Sequence, residues 1–368
     1  MPGVNFRMIL RLFVAVAVIV CGGIVNQATS AEADVLDDRL ALFSRYVDAL
    51  RRQLGIPGLS ALVAKDGRVV WEAGFGAQDL ERHLPATPDT PYSIASLTKT
   101  FSSVLLLQCV ERGTLDLDET IRRYTTLIPE PGATVRHVLT HMSEGTPGQR
   151  FKYDGDRFAA LTPVIEACAG APFRLVLARE ILSRLAMQDS VPGHDLEQPD
   201  AAAASLFDVA TLERYQRVLG RIARPYVVDS RRRASPAPFP PHGINAAAGL
   251  VSTARDLAAY DRALSDGVLL RPASLELAWT PATTNSGQSI PYGLGWFTER
   301  VDGERVVWHY GLWGQAYSSL MLKLPERSVT LILLANSDGL SGRFPLAAGE
   351  VRVSPFAEAF LTLMRDQR

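Results

Sequence analysis

The stretch Tyr92-Ser93-Ile94-Ala95-Ser96-Leu97-Thr98-Lys99-Thr100-Phe101 sets one of the chain's four lysines three residues after a serine, in a protein that writes its other basic side chains as arginine. Residues three apart share one face of a helix, so a hydroxyl and an amine become neighbours there. Alone, the pair also describes a polar helix start with an exposed lysine, and features elsewhere in the chain have to decide. The residues that follow, Phe101, Val104, Leu105 and Leu107, are nearly continuous up to a stop at Gly113. They predict a helix buried on most sides, with Ser96 in its first turn or just before it.

Upstream, Leu36, Leu40, Phe43, Val47, Leu50 and Leu54 step by four and three, an amphipathic helix stopped by Gly55 and Pro57. Two apolar runs flanking Asp66-Gly67 then predict a β-hairpin, and Pro85 to Thr90 a loop. From Leu115 to about Ala282 the texture is helices and loops, including one helix over Leu175 to Leu185 and another, running to Leu264, opened by a capping box at Thr253-Ala254-Arg255-Asp256. After Pro291 come four β-rich runs, Tyr292–Glu299, Arg305–Tyr310, Tyr317–Leu324 and Val329–Asn336, and a terminal helix over Phe356 to Met364. This order predicts an α/β (α+β) fold: an antiparallel sheet flanked by helices and built from both chain ends, with an inserted mainly helical domain. The sheet region is 36–95 and 285–368, the helical region 96–284, within one domain over 31–368.

A net charge of −1 gives no electrostatic footprint for nucleic acid, and Arg231-Arg232-Arg233 sits in a Ser/Pro/Ala-rich stretch that reads as a solvated loop. Residues 1–30 carry Arg7 and Arg11, an apolar run from Leu12 towards Val25 and small residues around Ala31, the plan of a secretory signal peptide cleaved near residue 31, with an uncleaved anchor as the alternative. Val20 before Cys21 argues against lipid attachment. The expectation is a periplasmic or secreted protein that meets the membrane only through this export signal. Cys109 and Cys168, each inside an apolar helical pattern, read as two buried thiols, although an oxidising compartment would permit a disulfide. His137 and His141 stand four apart without the glutamate of a metalloprotease or a third ligand, and read as structural. No metal or cofactor is expected, and no protein partner is implied.

Six features occur in order: Ser96-Leu97-Thr98-Lys99; Arg136 to His141 (RHVLTH); Pro147-Gly148 with Phe151-Lys152-Tyr153; Gly249 to Thr253 (GLVST); Tyr292 to Trp296 (YGLGW); and His309-Tyr310-Gly311. With them the chain resembles the serine β-lactamase and penicillin-binding-protein superfamily, in its class C-like branch of esterases, D-amino-acid peptidases and β-lactamases. The resemblance covers nearly all of the chain after the leader. It implies Ser96 as nucleophile. A serine hydroxyl needs a base in hydrogen-bond reach, and a desolvated Lys99 amine could accept its proton. Tyr153 takes the place of the family's tyrosine that shuttles protons to the leaving group, and the base role stays undivided between it and Lys99. The oxyanion donors would be the N–H groups of Ser96 and Leu312. Gly311 would keep the strand clear for substrate, and His309, where many relatives carry lysine, would supply a hydrogen bond or a partial charge. His141, Trp296 and Trp308 read as packing or pocket wall.

Two departures matter. Gly155 stands at the family's asparagine, which contacts the substrate amide and the catalytic lysine; Asp154 or Asp156 could replace the contact, with Asp156 placed instead to cap the following helix. His309 replaces lysine. Both move the reading from a β-lactamase towards a serine hydrolase that acts through a Ser96 acyl-enzyme on a small ester, amide or peptide, of esterase or D-amino-acid amidase type. A β-lactamase or D,D-peptidase, and a catalytically silent ligand- or peptidoglycan-binding homologue, are the alternatives.

Overall fold

The computed structural model describes residues 35–240 and 243–365, and the leader with its cleavage point lies outside them. Helix α1 spans 35–54. Strands β1 (Gly58–Lys65) and β2 (Arg68–Asp79) form the expected hairpin, followed by the short β3 (Leu84–Pro85). Asp66 and Gly67 both hold positive φ, 51° and 69°, as a two-residue type I′ turn requires. Strand β4 (Tyr92–Ser93) leads into a single 3₁₀ turn, Ala95–Leu97, and helix α2 (Thr98–Glu111).

The insert then adds α3 (Val135–Leu139), α4 (Gly155–Ala159), α5 (Thr162–Ala169) and α6 (Phe173–Leu177). The helix expected over Leu175 to Leu185 begins two residues earlier and continues from α6 as a π-type segment, Ala178–Ser183. Strand β5 (Val191–Pro192) and helices α7 (Ala201–Ala204) and α8 (Val209–Leu219) follow, then the two-stranded pair β6 (Tyr226–Val228) and β7 (Ala234–Pro236). Strand β8 (Leu250–Ser252) joins β4 and β5, before α9 (Ala254–Ser265) and α10 (Pro272–Trp279). Thr253 caps α9 by accepting from Asp256 N–H, but the Asp256 carboxylate turns away to Asp189 N–H and Ser190 Oγ, so only half of the expected capping box forms.

The last strands are β9 (Phe297–Val301), β10 (Glu304–Trp313), β11 (Tyr317–Leu324) and β12 (Val329–Ala335), with α11 (Pro355–Met364) at the end. The main sheet runs β3-β2-β1-β12-β11-β10-β9, antiparallel throughout. Its two halves join where β1 meets β12, from Leu59 opposite Ala335 to Lys65 opposite Val329. Side chains alternate across it: Leu59, Ala61, Val63, Leu331 and Leu333 face α1 and α11 through Phe43, Val47, Phe356 and Phe360, whereas Leu62, Ala64, Met321, Ile332 and Leu334 face α2 and the insert. Because both faces are covered, β1 is buried continuously from Gly58 to Ala64 rather than at alternate residues. Each fully buried large apolar side chain contributes ~1.5–3 kcal/mol.

Helix α2 is buried from Thr98 to Cys109 and satisfies its polar groups inside the protein, Ser102 Oγ donating to Ala246 O and Ser103 Oγ to Leu294 O. The cysteine expectation is corrected here. Cys109 on α2 and Cys168 on α5 form a disulfide, because the two helices pack with these Cα atoms 5.9 Å apart. Among the described residues no single helix is long and apolar enough to cross a membrane.

Candidate active site

The turn that carries Ser96 is fixed on two sides. Tyr92 and Ser93 pair with Ser252 and Val251, and Ile94 N–H donates to Leu250 O. Ala95 then holds φ 49°, a left-handed conformation that costs a non-glycine residue of order 1 kcal/mol and persists only where the surroundings impose it. It swings Ser96, half-buried, to the first turn before α2, where N–H groups have no intrahelical partner. One turn on, Lys99 is fully buried; its Nζ donates to Ser96 Oγ at 2.8 Å and to Ala247 O at 3.1 Å. Burial disfavours the ammonium and brings the Lys99 pKa down to about 7, with the carboxylates of Asp154 and Asp156 acting in the opposite direction.

Tyr153 closes the other side, with Lys99 Nζ 5.2 Å from its ring centre. Its hydroxyl is buried without a hydrogen-bond partner of sound geometry. Burial, and after it Tyr310, push this phenol well above 10, while the proximity of Ser96 pulls the other way. Around it stand His141, Tyr292, Phe297, His309 and Tyr310, with ring centres 4.4 to 6.3 Å from that of Tyr153.

His309 on β10 is fully buried. Nδ1 lies 2.7 Å from Tyr310 O, which only accepts, so the proton sits on Nδ1, and Nε2 accepts from the Tyr292 hydroxyl at 3.0 Å. Burial first, then Lys99, hold its pKa at about 3, so the imidazole is neutral with both nitrogens engaged inside the protein. Two residues on, a Cβ at Gly311 would lie 2.1 Å from Ile94 O and 2.3 Å from Ser319 Oγ. The glycine is therefore required by backbone packing against the Ser96 turn, a demand separate from the clearance for substrate expected from sequence. That approach sets the next peptide, Leu312, beside the same turn.

The place of the family's asparagine is equally plain. A Cβ on Gly155 would stand 3.7 Å from Lys99 Nζ and meet nothing closer, so the position faces the lysine and is left without a side chain. Asp154, not Asp156, caps α4 by accepting from Arg157 N–H at 3.0 Å; the helix begins two residues earlier than a cap at Asp156 would place it. Trp296 and Trp308 are core residues, 1% and 0% exposed, and Trp308 Nε1 donates to Glu299. Three groups beside the chemistry escaped the sequence reading: Ala247, which enters through its carbonyl and leaves no side-chain signal, and Tyr292 and Tyr310, which were visible only as members of the motifs around them.

A sheet assembled from both chain ends, with a serine at the head of a buried helix and a buried lysine one turn on, defines a serine hydrolase of the β-lactamase and penicillin-binding-protein kind. The Beta-lactamase family model matches residues 43–353, and the chain belongs to that family. A penicillin-binding protein of Bacillus subtilis (strain 168) is 23% identical over 319 residues, 76% of this chain and 68% of that protein. The mitochondrial serine beta-lactamase-like protein of Homo sapiens is 34% identical over 101 residues, which are 26% of this chain and 18% of that protein. Among solved structures, the octameric penicillin-binding protein homologue from Pyrococcus abyssi superposes with a TM-score of 0.70 at 25% identity, covering 88% of this chain and 77% of that one. The D-amino acid amidase from Ochrobactrum anthropi SV3 shares the fold with a TM-score of 0.66 at 22% identity, over 89% and 98% of the two chains.

Proposed function

We propose that the protein is an exported acyl hydrolase that forms an acyl-enzyme on Ser96 and releases the acid with water, acting on a small ester or a D-amino-acid amide. The observation that carries this reading is the buried Lys99 amine, 2.8 Å from Ser96 Oγ with a pKa of about 7. About half neutral at pH 7, it can keep one hydrogen on Ala247 O and offer its lone pair to the serine proton. Tyr153, protonated far above neutrality, is unsuited to that first step and suited to the second. Oγ attacks the carbonyl carbon as its proton passes to Nζ, and the oxyanion is met by the N–H groups of Ser96 and Leu312. Collapse then expels the alcohol or amine, which takes a proton through the Tyr153 hydroxyl, and water repeats the sequence to free the acid.

Gly155 and the neutral His309 favour esters and simple amides over β-lactams and peptidoglycan peptides, since neither the amide contact nor a fixed cation is present at those two positions. The Cys109–Cys168 bond supports a periplasmic or secreted location, where disulfides persist. The test treats the folded protein with a fluorophosphonate and, separately, a penicillin, and locates adducts by mass spectrometry. Phosphonylation of Ser96 with little penicillin acylation is expected. Rapid acylation by penicillin would favour the β-lactamase or D,D-peptidase reading, and no adduct from either reagent would leave a silent binding homologue.

A further inference from the structure

His141 has no part in the chemistry above, yet it is held at some cost. It follows α3 as the residue that ends the helix, with φ 56°, a conformation glycine adopts freely and histidine does not. Its ring is 4% exposed and packs between Tyr153 (4.4 Å), Tyr292 (4.9 Å) and Phe158 (5.2 Å). Phenylalanine would fill such a place, and glycine would end the helix without strain. What neither supplies is an acceptor. His141 Nδ1 takes the Asp154 N–H at 3.1 Å, and its backbone carbonyl takes the Lys152 N–H at 2.9 Å. The backbone N–H groups of the residues before and after Tyr153 are thus both fastened to one residue. With Nδ1 accepting, the ring proton resides on Nε2, which is buried without a partner. A buried unmade hydrogen bond is unfavourable, so packing alone does not account for a histidine here. Burial above all, and after it the charge of Lys99, keep the ring neutral, which Nδ1 requires in order to accept.

We propose that His141 is a positioning residue for the reaction, clamping the backbone before and after Tyr153 so that its hydroxyl is aimed at the group leaving from Ser96. The inference rests on the hydrolase reading and on the role of Tyr153 in it. Two esters of one acid separate the effects: p-nitrophenyl butyrate, whose leaving group needs no proton, and ethyl butyrate, whose leaving group does.

His141→Asn keeps an acceptor where Nδ1 stands and tolerates positive φ; His141→Gln moves the acceptor one bond too far. With circular dichroism and melting used to select folded variants, His141→Gln should lose at least ~10-fold in kcat/KM on ethyl butyrate, with a much smaller loss on the p-nitrophenyl ester, and His141→Asn should recover most of it. In a Tyr153→Phe background, His141→Gln should cost little more. Equal losses on both esters, no rescue by asparagine, or losses that multiply with those of Tyr153→Phe would overturn the inference while leaving the hydrolase reading intact. A harmless Tyr153→Phe would remove the tyrosine's role and this inference together, and a wild-type protein inert towards both esters would remove the ester reading and this inference with it.

Discussion

The pH dependence of turnover is the most direct consequence of the site's electrostatics. As the proposed base, Lys99 would work only when neutral, and its pKa of about 7 belongs to the free enzyme, so it should govern kcat/KM rather than kcat. Below that value the neutral fraction falls tenfold per pH unit. At pH 5 it is 1/(1 + 10²), so kcat/KM for an accepted ester should stand at ~1% of its plateau, and at pH 6 at ~10%. The two histidines of the cluster do not compete for this limb, because burial holds both below their usual range. Asp156 provides an internal control: it is exposed, does not cap α4, and raises the Lys99 pKa through its charge. Asp156→Asn should therefore move the acid limb to lower pH and increase relative activity at pH 6. The assay is initial-rate hydrolysis of p-nitrophenyl butyrate from pH 5 to 9 at constant ionic strength. A profile flat between pH 5 and 8, or an acid limb that Asp156→Asn moves upward, would falsify the assignment of Lys99 as base.

Other outcomes follow from the same geometry. A Cβ at Gly155 meets nothing closer than Lys99 Nζ at 3.7 Å, so Gly155→Asn would put an amide beside the lysine; penicillin acylation of Ser96 should accelerate, and no change in the acylation rate would show that Gly155 is not what disfavours β-lactams. Cys109 and Cys168 are separated by 59 positions, so in the chain-entropy picture their bond stabilises the fold by ~4 kcal/mol. Cys109→Ala/Cys168→Ala should lower the urea midpoint accordingly, and an unchanged midpoint would contradict a formed disulfide. Lys99→Met should be inactive yet melt higher than wild type at pH 6, and that advantage should shrink as pH rises from 7 to 10.5; a gap independent of pH would mean that Lys99 is not depressed.

The sheet was legible because its signals are local. The Asp66-Gly67 turn, the mainly apolar strands and the period of α1 each state their own structure, and their position at both ends of the chain states the topology. Ser96 and Lys99 were legible for the same reason, being one helical turn apart. What was not legible depended on distant packing. The pairing of Cys109 with Cys168 follows from the contact of α2 with α5, which no local pattern announces. The cap of α4 fell to Asp154 because the helix starts two residues before the point that a cap at Asp156 would set, which leaves Asp156 as a first-turn carboxylate. The packing demand at Gly311 was not legible either, since its contact, Ile94 O, comes from a segment more than two hundred residues away. Ala247 could not be found at all, because a backbone carbonyl has no residue type.

The arrangement around Lys99 also shows where stability has been given up for reactivity. A folded-state pKa of about 7 against the ordinary lysine value of 10.5 corresponds to ~5 kcal/mol. The sign is unfavourable. The unfolded chain binds a proton at Lys99 that the folded chain does not, so the penalty is absent above pH 10.5, grows as pH falls, and is complete below about 7. A carboxylate bonded directly to the amine would remove most of it by holding the ammonium, and would also abolish the base. Asp154 and Asp156 act on Lys99 through charge, without a direct hydrogen bond, which moderates the penalty and leaves the amine able to titrate near neutrality. The cost is offset in the same helix: α2 is buried along most of its length, and Cys109 ties it to α5 by a bond whose entropic contribution is of similar size, ~4 kcal/mol. The disulfide and the depressed lysine thus belong to one design, in which a helix fastened from behind can carry an unpaired amine at its front.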